Sequence, residues 1–79
     1  MTTQARVMDA LARVGGIDTE KFDFQSKLEE DVGLDSLDVI EFAMELEDDF
    51  GFEITSAEED QWRTIGDVVR FLDKRMAKP

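Results

Sequence analysis

The stretch Gly33-Leu34-Asp35-Ser36-Leu37-Asp38 holds the residues best placed for chemistry in this chain. Gly33 permits a turn that other residues resist, and Asp35 or Ser36 can accept a hydrogen bond from a free N–H group of a following helix. Asp38, three residues after Asp35, adds a second carboxylate near the positive end of that helix. The pattern therefore predicts a serine hydroxyl at a helix N-terminus with carboxylates beside it. Taken alone, it is typical of a helix cap.

Three kinds of reactive or metal site can be tested on these residues. A calcium loop beginning at Asp31 needs glycine where the chain has Ser36 and glutamate where it has Phe42. A serine hydrolase needs a base, yet the chain has no histidine and no Gly-x-Ser-x-Gly elbow. A carboxylate-pair hydrolase needs a cleft that desolvates one acid, and 79 residues offer little room for one. With no cysteine either, the sequence predicts neither catalytic residues nor a metal site.

A longer pattern gives the serine a more specific interpretation. It consists of Asp31–Asp38, Glu41, Glu45–Phe50 and the later Thr64–Asp67. This pattern, with the length, acidity and helix spacing, resembles the acyl carrier protein family. The resemblance implies that Ser36, flanked by Asp35, bears a 4′-phosphopantetheine arm donated from coenzyme A by a phosphopantetheinyl transferase. The thiol of the arm would hold acyl groups as thioesters, and the chain itself would not be an enzyme.

The resemblance leaves the pathway open among fatty acid, polyketide and specialised lipid biosynthesis. Trp62 stands where a medium aliphatic residue is more usual, Val39 replaces a small polar one, and the proline common shortly after the second helix is absent from that position. These departures point away from the housekeeping fatty-acid role, and Leu34 replaces the glycine usual in peptidyl carriers. The alternative is a small acidic helical adaptor that binds a basic protein partner without a prosthetic group, with Ser36 as a cap only.

The charge of the chain restricts its partners. The net charge is −11, and fourteen acidic residues lie between Glu29 and Asp60 without one Lys or Arg. Nucleic acids and anionic membranes are poor partners for such a surface, whereas basic protein patches and divalent cations suit it. No apolar run is long enough for a signal peptide or a membrane span. We therefore expect a cytoplasmic monomer with no membrane insertion.

Hydrophobic spacing and capping residues predict an all-α fold in a single domain of residues 1–79. The expected architecture is an up-and-down bundle of four helices, like that of acyl carrier proteins, with a long first loop and a short third helix. The predicted helices are Thr3–Val14, Ser36 or Leu37 to Phe50, Ser56 to Gln61 or Trp62, and one from the capping pattern Thr64–Asp67 with a core stripe reaching Met76. One short helical turn is also predicted at Ser26–Glu29 in the loop, and Trp62 is expected to be buried.

The second predicted helix has two different surfaces. Its core stripe is Val39, Phe42, Ala43, Leu46 and Phe50, and its solvated acids are Asp38, Glu41, Glu45, Asp48 and Asp49. Leu37, Ile40 and Met44 lie on the flank between these two surfaces. Apolar residues bordered by Asp38, Glu41 and Asp48 predict a docking patch for acyl-transfer and synthase enzymes with basic surfaces. A broader core stripe could instead include the three apolar residues, and for Ile40 the two interpretations are evenly balanced.

Overall fold

The computed structural model describes residues 2–77 and consists of helices and connecting loops. The helices are α1 (Thr3–Gly15), α2 (Ser36–Phe50), α3 (Ser56–Glu59) and α4 (Ile65–Met76), with a short 3-10 helix at Thr19–Lys21. Between residues 2 and 77 the only extended pairing is an isolated bridge from Lys27 to Thr64. Helix α1 packs against both α2 and α4, and α3 packs against α2. The predicted four-helix fold with a short third helix and a long first loop is confirmed.

Side-chain caps decide where most of these helices begin. The Thr2 hydroxyl accepts a hydrogen bond from the Ala5 N–H group, and α1 ends at Gly16, whose φ of 61° is left-handed. Three capping boxes follow, in which the cap and the third helical residue accept each other's backbone N–H groups. These boxes are Asp35 with Asp38, Thr55 with Glu58, and Thr64 with Asp67. The predicted start of the fourth helix is therefore correct.

The third helix begins at the predicted Ser56 but ends earlier than predicted. Its cap is Thr55, because the Thr55 hydroxyl reaches the Glu58 N–H group. It ends at Glu59 rather than near Trp62. The backbone N–H group of Trp62 donates to the Glu59 carbonyl, three residues back, so the chain forms a tighter turn of the 3-10 type after α3. This tighter turn directs the Trp62 side chain into the core.

The core is a single cluster of buried hydrophobic side chains contributed by α1, α2, α4 and the loops. Its members are Val7, Ala10, Leu11, Leu28, Leu34, Phe42, Ala43, Leu46, Ile54, Trp62, Ile65, Val68, Val69 and Leu72. Val39 and Phe50 are partly buried against this cluster, as the α2 stripe predicted. Met76, predicted to be a core residue, is 44% exposed because it occupies the last residue of α4. Phe71, five residues earlier in α4, packs edge-on against Trp62.

The long first loop is tied to the start of α4 by backbone hydrogen bonds. The Leu28 N–H group donates to the Arg63 carbonyl, and the Gly66 N–H group donates to the Phe24 carbonyl, both at 2.8 Å. A Cβ atom on Gly66 would lie 2.5 Å from the Phe24 ring, so this approach requires glycine. The short helical turn predicted at Ser26–Glu29 is shifted along the chain: the Asp31 N–H group donates to the Lys27 carbonyl at 3.0 Å, while the Ser26 carbonyl accepts the Ile65 N–H group. Within residues 2–77, no helix is both long and apolar enough to cross a membrane.

Candidate functional site

Ser36 is the first residue of α2, and its side chain is exposed. The sequence left the cap open between Asp35 and Ser36, and the structure assigns it to Asp35. The Asp35 carboxylate accepts from the Asp38 N–H group at 2.8 Å, and the Asp38 carboxylate accepts from the Asp35 N–H group at 3.1 Å. Both carboxylates are thus engaged in holding the helix end. The Ser36 hydroxyl is not needed for capping and remains available for modification.

The loop before α2 fixes the position of Ser36. Gly33 turns with a φ of 89°, in the left-handed region that favours glycine. Leu34 is then buried, and its N–H group donates to the Leu28 carbonyl at 2.9 Å. The chain therefore enters α2 from an anchored residue only two positions before Ser36. An attached group would start from a rigid base.

The N-terminus of α2 suits an attached phosphodiester. Among residues 2–77, the backbone N–H groups of Ser36 and Leu37 have no hydrogen-bond partner. Free N–H groups and the helix dipole together favour an anion at this end. A phosphate on the Ser36 hydroxyl would lie beside these donors. The residues present therefore fit a 4′-phosphopantetheine group.

A groove of about 220 Å³ begins at Ser36 and lies between α2 and α3. On the α2 side it is lined by Ser36, Val39 and Ile40, and on the opposite side by Glu59, Asp60 and Trp62. The groove thus combines apolar surface with carboxylates. Sequence reasoning did not assign Glu59 or Asp60 to the site. No spacing signal could have found them, because α3 reaches α2 only through the tertiary fold.

Glu59 has the most unusual electrostatic environment in this groove. Burial raises the pKa of its carboxyl, and the negative charges of Glu47 and Asp60 raise that pKa further. Glu47 is itself held in place, because its carboxylate accepts the Ile54 N–H group at 2.6 Å. Glu59 therefore takes up a proton at a higher pH than an ordinary glutamate does.

The predicted docking residues are accessible, but they line more than one groove. Leu37, Ile40 and Met44 are 63%, 47% and 57% exposed, so Ile40 is not a core residue. Met44 lies with Glu41 and Asp48 in a groove of about 370 Å³ beside α1. Ile40 instead lines the groove at Ser36. Asp38 is half-buried in its capping box.

Two acids on the solvated side of α2 also form ion pairs with α1. The Arg13 guanidinium contacts the carboxylates of Glu45, at 3.8 Å, and of Asp49. The Arg6 guanidinium donates to the Asp49 carbonyl and stacks 3.8 Å above the Phe50 ring. These contacts arise because α1 packs along this side of α2. The free acidic surface of α2 is therefore narrower than the helical wheel suggested.

Comparison with known proteins decides the family. Residues 5–72 match the protein family described as "Phosphopantetheine attachment site". The chain belongs to this family. The resemblance to acyl carrier proteins is thereby confirmed, and the covalent cofactor of the family is 4′-phosphopantetheine.

A solved structure supports the same fold. It is a chain from Mycobacterium tuberculosis provisionally described as an acyl carrier protein, and it superposes with a TM-score of 0.86. The two sequences are 24% identical, and the match covers 95% of this chain and 100% of the other. At that identity the likeness establishes the fold alone.

Proposed function

We propose that this protein carries acyl groups as thioesters on a 4′-phosphopantetheine arm attached to Ser36, in fatty acid, polyketide or specialised lipid biosynthesis. The observation that carries the proposal is the exposed Ser36 hydroxyl at the start of α2, left free because Asp35 takes the cap. When bound, the arm supplies the thiol that forms the thioester. Transferases and synthases would perform the chemistry, so the chain itself would be a carrier and not an enzyme.

The residues around Ser36 would hold and orient the attached group. The free N–H groups of Ser36 and Leu37 stabilise the phosphate, since a helix N-terminus favours an anion. The capping box of Asp35 with Asp38 prevents the first turn of α2 from fraying. Val39 and Ile40 provide apolar contact along the adjacent groove. These residues would position the arm, and none of them would need to transfer a proton.

We further propose that partner enzymes dock on the exposed surface of α2. Leu37, Ile40 and Met44 supply apolar contact there, and Glu41 and Asp48 carry negative charge beside them. Charge at the rim of an interface speeds encounter, while apolar anchors at its centre hold the complex. A partner with a basic patch would therefore be recognised next to Ser36.

The attachment site can be tested by mass spectrometry. Apo protein incubated with coenzyme A, Mg²⁺ and a broad-specificity phosphopantetheinyl transferase should gain the mass of one phosphopantetheine. Ser36→Ala should gain nothing. Ser56→Ala is the matched control, because Ser56 is likewise an exposed serine at the first position of a helix and lines the same groove. It should be modified like the wild type.

Two outcomes would contradict the proposal. A mass gain that persists in Ser36→Ala would place the arm on another residue. No mass gain in the folded wild-type protein would favour the acidic adaptor, in which Ser36 only begins a helix.

A further inference from the structure

Trp62 occupies an unusual position beside the groove at Ser36. Its side chain is only 8% exposed, and its ring packs edge-on against Phe42 of α2 and Phe71 of α4. The centroid distances are 6.0 Å and 5.5 Å. This confirms the predicted burial of Trp62 between α2 and α4. The bulky indole thus forms the inner end of the space next to the attachment site.

The indole N–H group of Trp62 is buried without a hydrogen-bond partner anywhere in residues 2–77. Buried polar groups in native proteins are nearly always hydrogen-bonded, and an exception calls for an explanation. Tryptophan in particular usually finds a partner for its N–H group when it is buried. The unpaired donor therefore indicates a position where a ligand atom can bind.

Trp62 also borders grooves other than the one at Ser36. It lines the groove that begins at Ser36, one of about 310 Å³ beside Arg63, and a larger one of about 590 Å³ between α3 and α4. Helix α3 has four residues, and none of them is fully buried. Its Glu58 is held to α4 by an ion pair with Arg75 at 3.2 Å. Because the indole nitrogen is covered, it becomes accessible only when this lightly held helix or the indole itself moves.

We propose, on the basis of the carrier function above, that Trp62 determines cargo specificity by donating its indole N–H group to an oxygen atom of the acyl chain. The rest of the indole is apolar and offers contact to any hydrocarbon. A plain alkyl chain would leave the donor unpaired, whereas a keto or hydroxyl oxygen satisfies it. Glu59 and Asp60 line the same groove and repel an anionic chain end. The preferred cargo is therefore a neutral, oxygen-bearing acyl chain.

The single tryptophan of this chain makes the proposal testable by NMR. Apo protein is loaded by the transferase from hydrolysis-resistant coenzyme A analogues carrying hexanoyl, 3-oxohexanoyl, 3-hydroxyhexanoyl or 5-oxohexanoyl chains. We expect at least one oxygenated chain to move the indole N–H signal downfield and slow its hydrogen exchange. The hexanoyl chain should produce neither change. The same response to all four chains, or to none, would overturn the proposal.

Trp62→Phe is the matched variant, since it keeps an aromatic ring and removes the donor. In the wild type, the responsive oxygenated chain should raise the melting temperature above that of the hexanoyl form by about 4–8 °C, as expected for one added hydrogen bond. In Trp62→Phe this difference should disappear. A difference that remains in Trp62→Phe would exclude the indole as donor. If the arm is loaded but no chain shows an oxygen-dependent effect, the role proposed for Trp62 is refuted and the carrier function still stands. If the arm cannot be loaded, the carrier function is refuted.

Discussion

At the scale of single residues, adjacent side chains divide the tasks of the site. Asp35 caps α2, and Ser36 is thereby left with a free hydroxyl at the helix N-terminus. In the capping box of α4, the Asp67 carboxylate accepts the Thr64 N–H group, as the Asp38 carboxylate accepts the Asp35 N–H group at α2. Burial raises the pKa of Asp67, but hydrogen bonds from the Arg63 and Thr64 N–H groups and from Arg70 outweigh burial and lower that pKa. Within residues 2–77 Glu59 receives no such hydrogen bonds, so burial and the negative charges of Glu47 and Asp60 raise its pKa.

The raised pKa of Glu59 predicts that Glu59→Gln stabilises the protein at neutral pH. A group whose pKa is higher in the folded state stabilises the fold while it is protonated, and this stability is lost as pH rises through the folded pKa. Glutamine is neutral like the protonated carboxyl, so the Glu59→Gln variant does not lose this stability as the pH rises. We expect a gain on the order of 0.5 kcal/mol, typical of an altered surface group. That corresponds to a rise of about 2–4 °C in melting temperature at pH 7.5.

The control for this prediction is Glu53→Gln, which removes one negative charge from an exposed position. Melting curves of both variants and the wild type are compared at pH 7.5 and at pH 4. The advantage of Glu59→Gln over Glu53→Gln should shrink at pH 4, where Glu59 is itself protonated. Equal gains for both variants at pH 7.5 would show that only the total charge matters.

At the scale of secondary-structure elements, α2 combines three surfaces on fifteen residues. One surface is buried in the core, and a second is joined to α1 by Arg6 and Arg13. The third carries Leu37, Ile40 and Met44 next to the attachment site and is exposed. An apolar surface that the fold leaves uncovered is a reason to expect a partner there.

Substitutions on this third surface should distinguish residues that speed association with the transferase from residues that hold the complex together. Glu41→Lys and Asp48→Lys should slow modification of Ser36 by the transferase roughly 3- to 10-fold at low salt, and less at high salt, because they reverse charges that steer association. Ile40→Ala and Met44→Ala should weaken binding by about 1–2 kcal/mol each with little change in salt dependence. Modification rates and transferase affinity, measured across a salt series, provide the test.

Glu20→Lys is the control, since Glu20 is exposed and lies in the short 3-10 helix, outside α2. Asp73, another acidic residue outside α2, is less suitable as a control because its carboxylate accepts a hydrogen bond from the Thr3 hydroxyl at 2.6 Å. Circular dichroism should first show that each variant is folded. If Glu20→Lys slows modification as much as Glu41→Lys does, recognition depends on bulk charge and α2 has no special role.

At the scale of the whole molecule, charge is strongly segregated. The acidic residues dominate the chain from Glu29 to Asp60, and Arg70, Lys74 and Arg75 gather in α4. Exposed ion pairs such as that of Lys27 with Glu30 contribute little to stability. Repulsion among the excess acids therefore outweighs them. In the part of the chain from residue 2 to residue 77, no three acidic side chains are grouped closely enough to hold a metal ion.

The excess of acidic residues, without a grouped metal site among residues 2–77, predicts that salt stabilises the protein only by screening their repulsion. Raising ionic strength shortens the range of repulsion from about 30 Å at 0.01 M to about 3 Å at 1 M. We expect the melting temperature to rise by several degrees between low and high KCl. MgCl₂ at the same ionic strength should produce the same rise. A clearly larger rise with Mg²⁺ would reveal a specific cation site and contradict this prediction.

The sequence by itself determined the local features of this protein. Capping residues and glycines lie within a few positions of the helix ends they set, so the pair Asp35-Ser36 predicted where α2 begins and Thr64 predicted where α4 begins. The spacing of apolar residues likewise predicted the buried surface of α2. The pattern around Ser36 predicted the family for the same reason, since most of its residues lie close together between Asp31 and Phe50.

The tertiary structure alone decided every feature that depends on residues distant in the chain. The pairing of Arg13 with Glu45 and Asp49 required α1 to lie against α2. The bonds from the first loop to α4 shifted the short helical turn that local sequence favoured at Ser26–Glu29. The groove at Ser36 and the unpaired Trp62 donor exist only because α3 folds back onto α2. Local rules cannot reach them, because burial and charge depend on neighbours that no sequence spacing specifies.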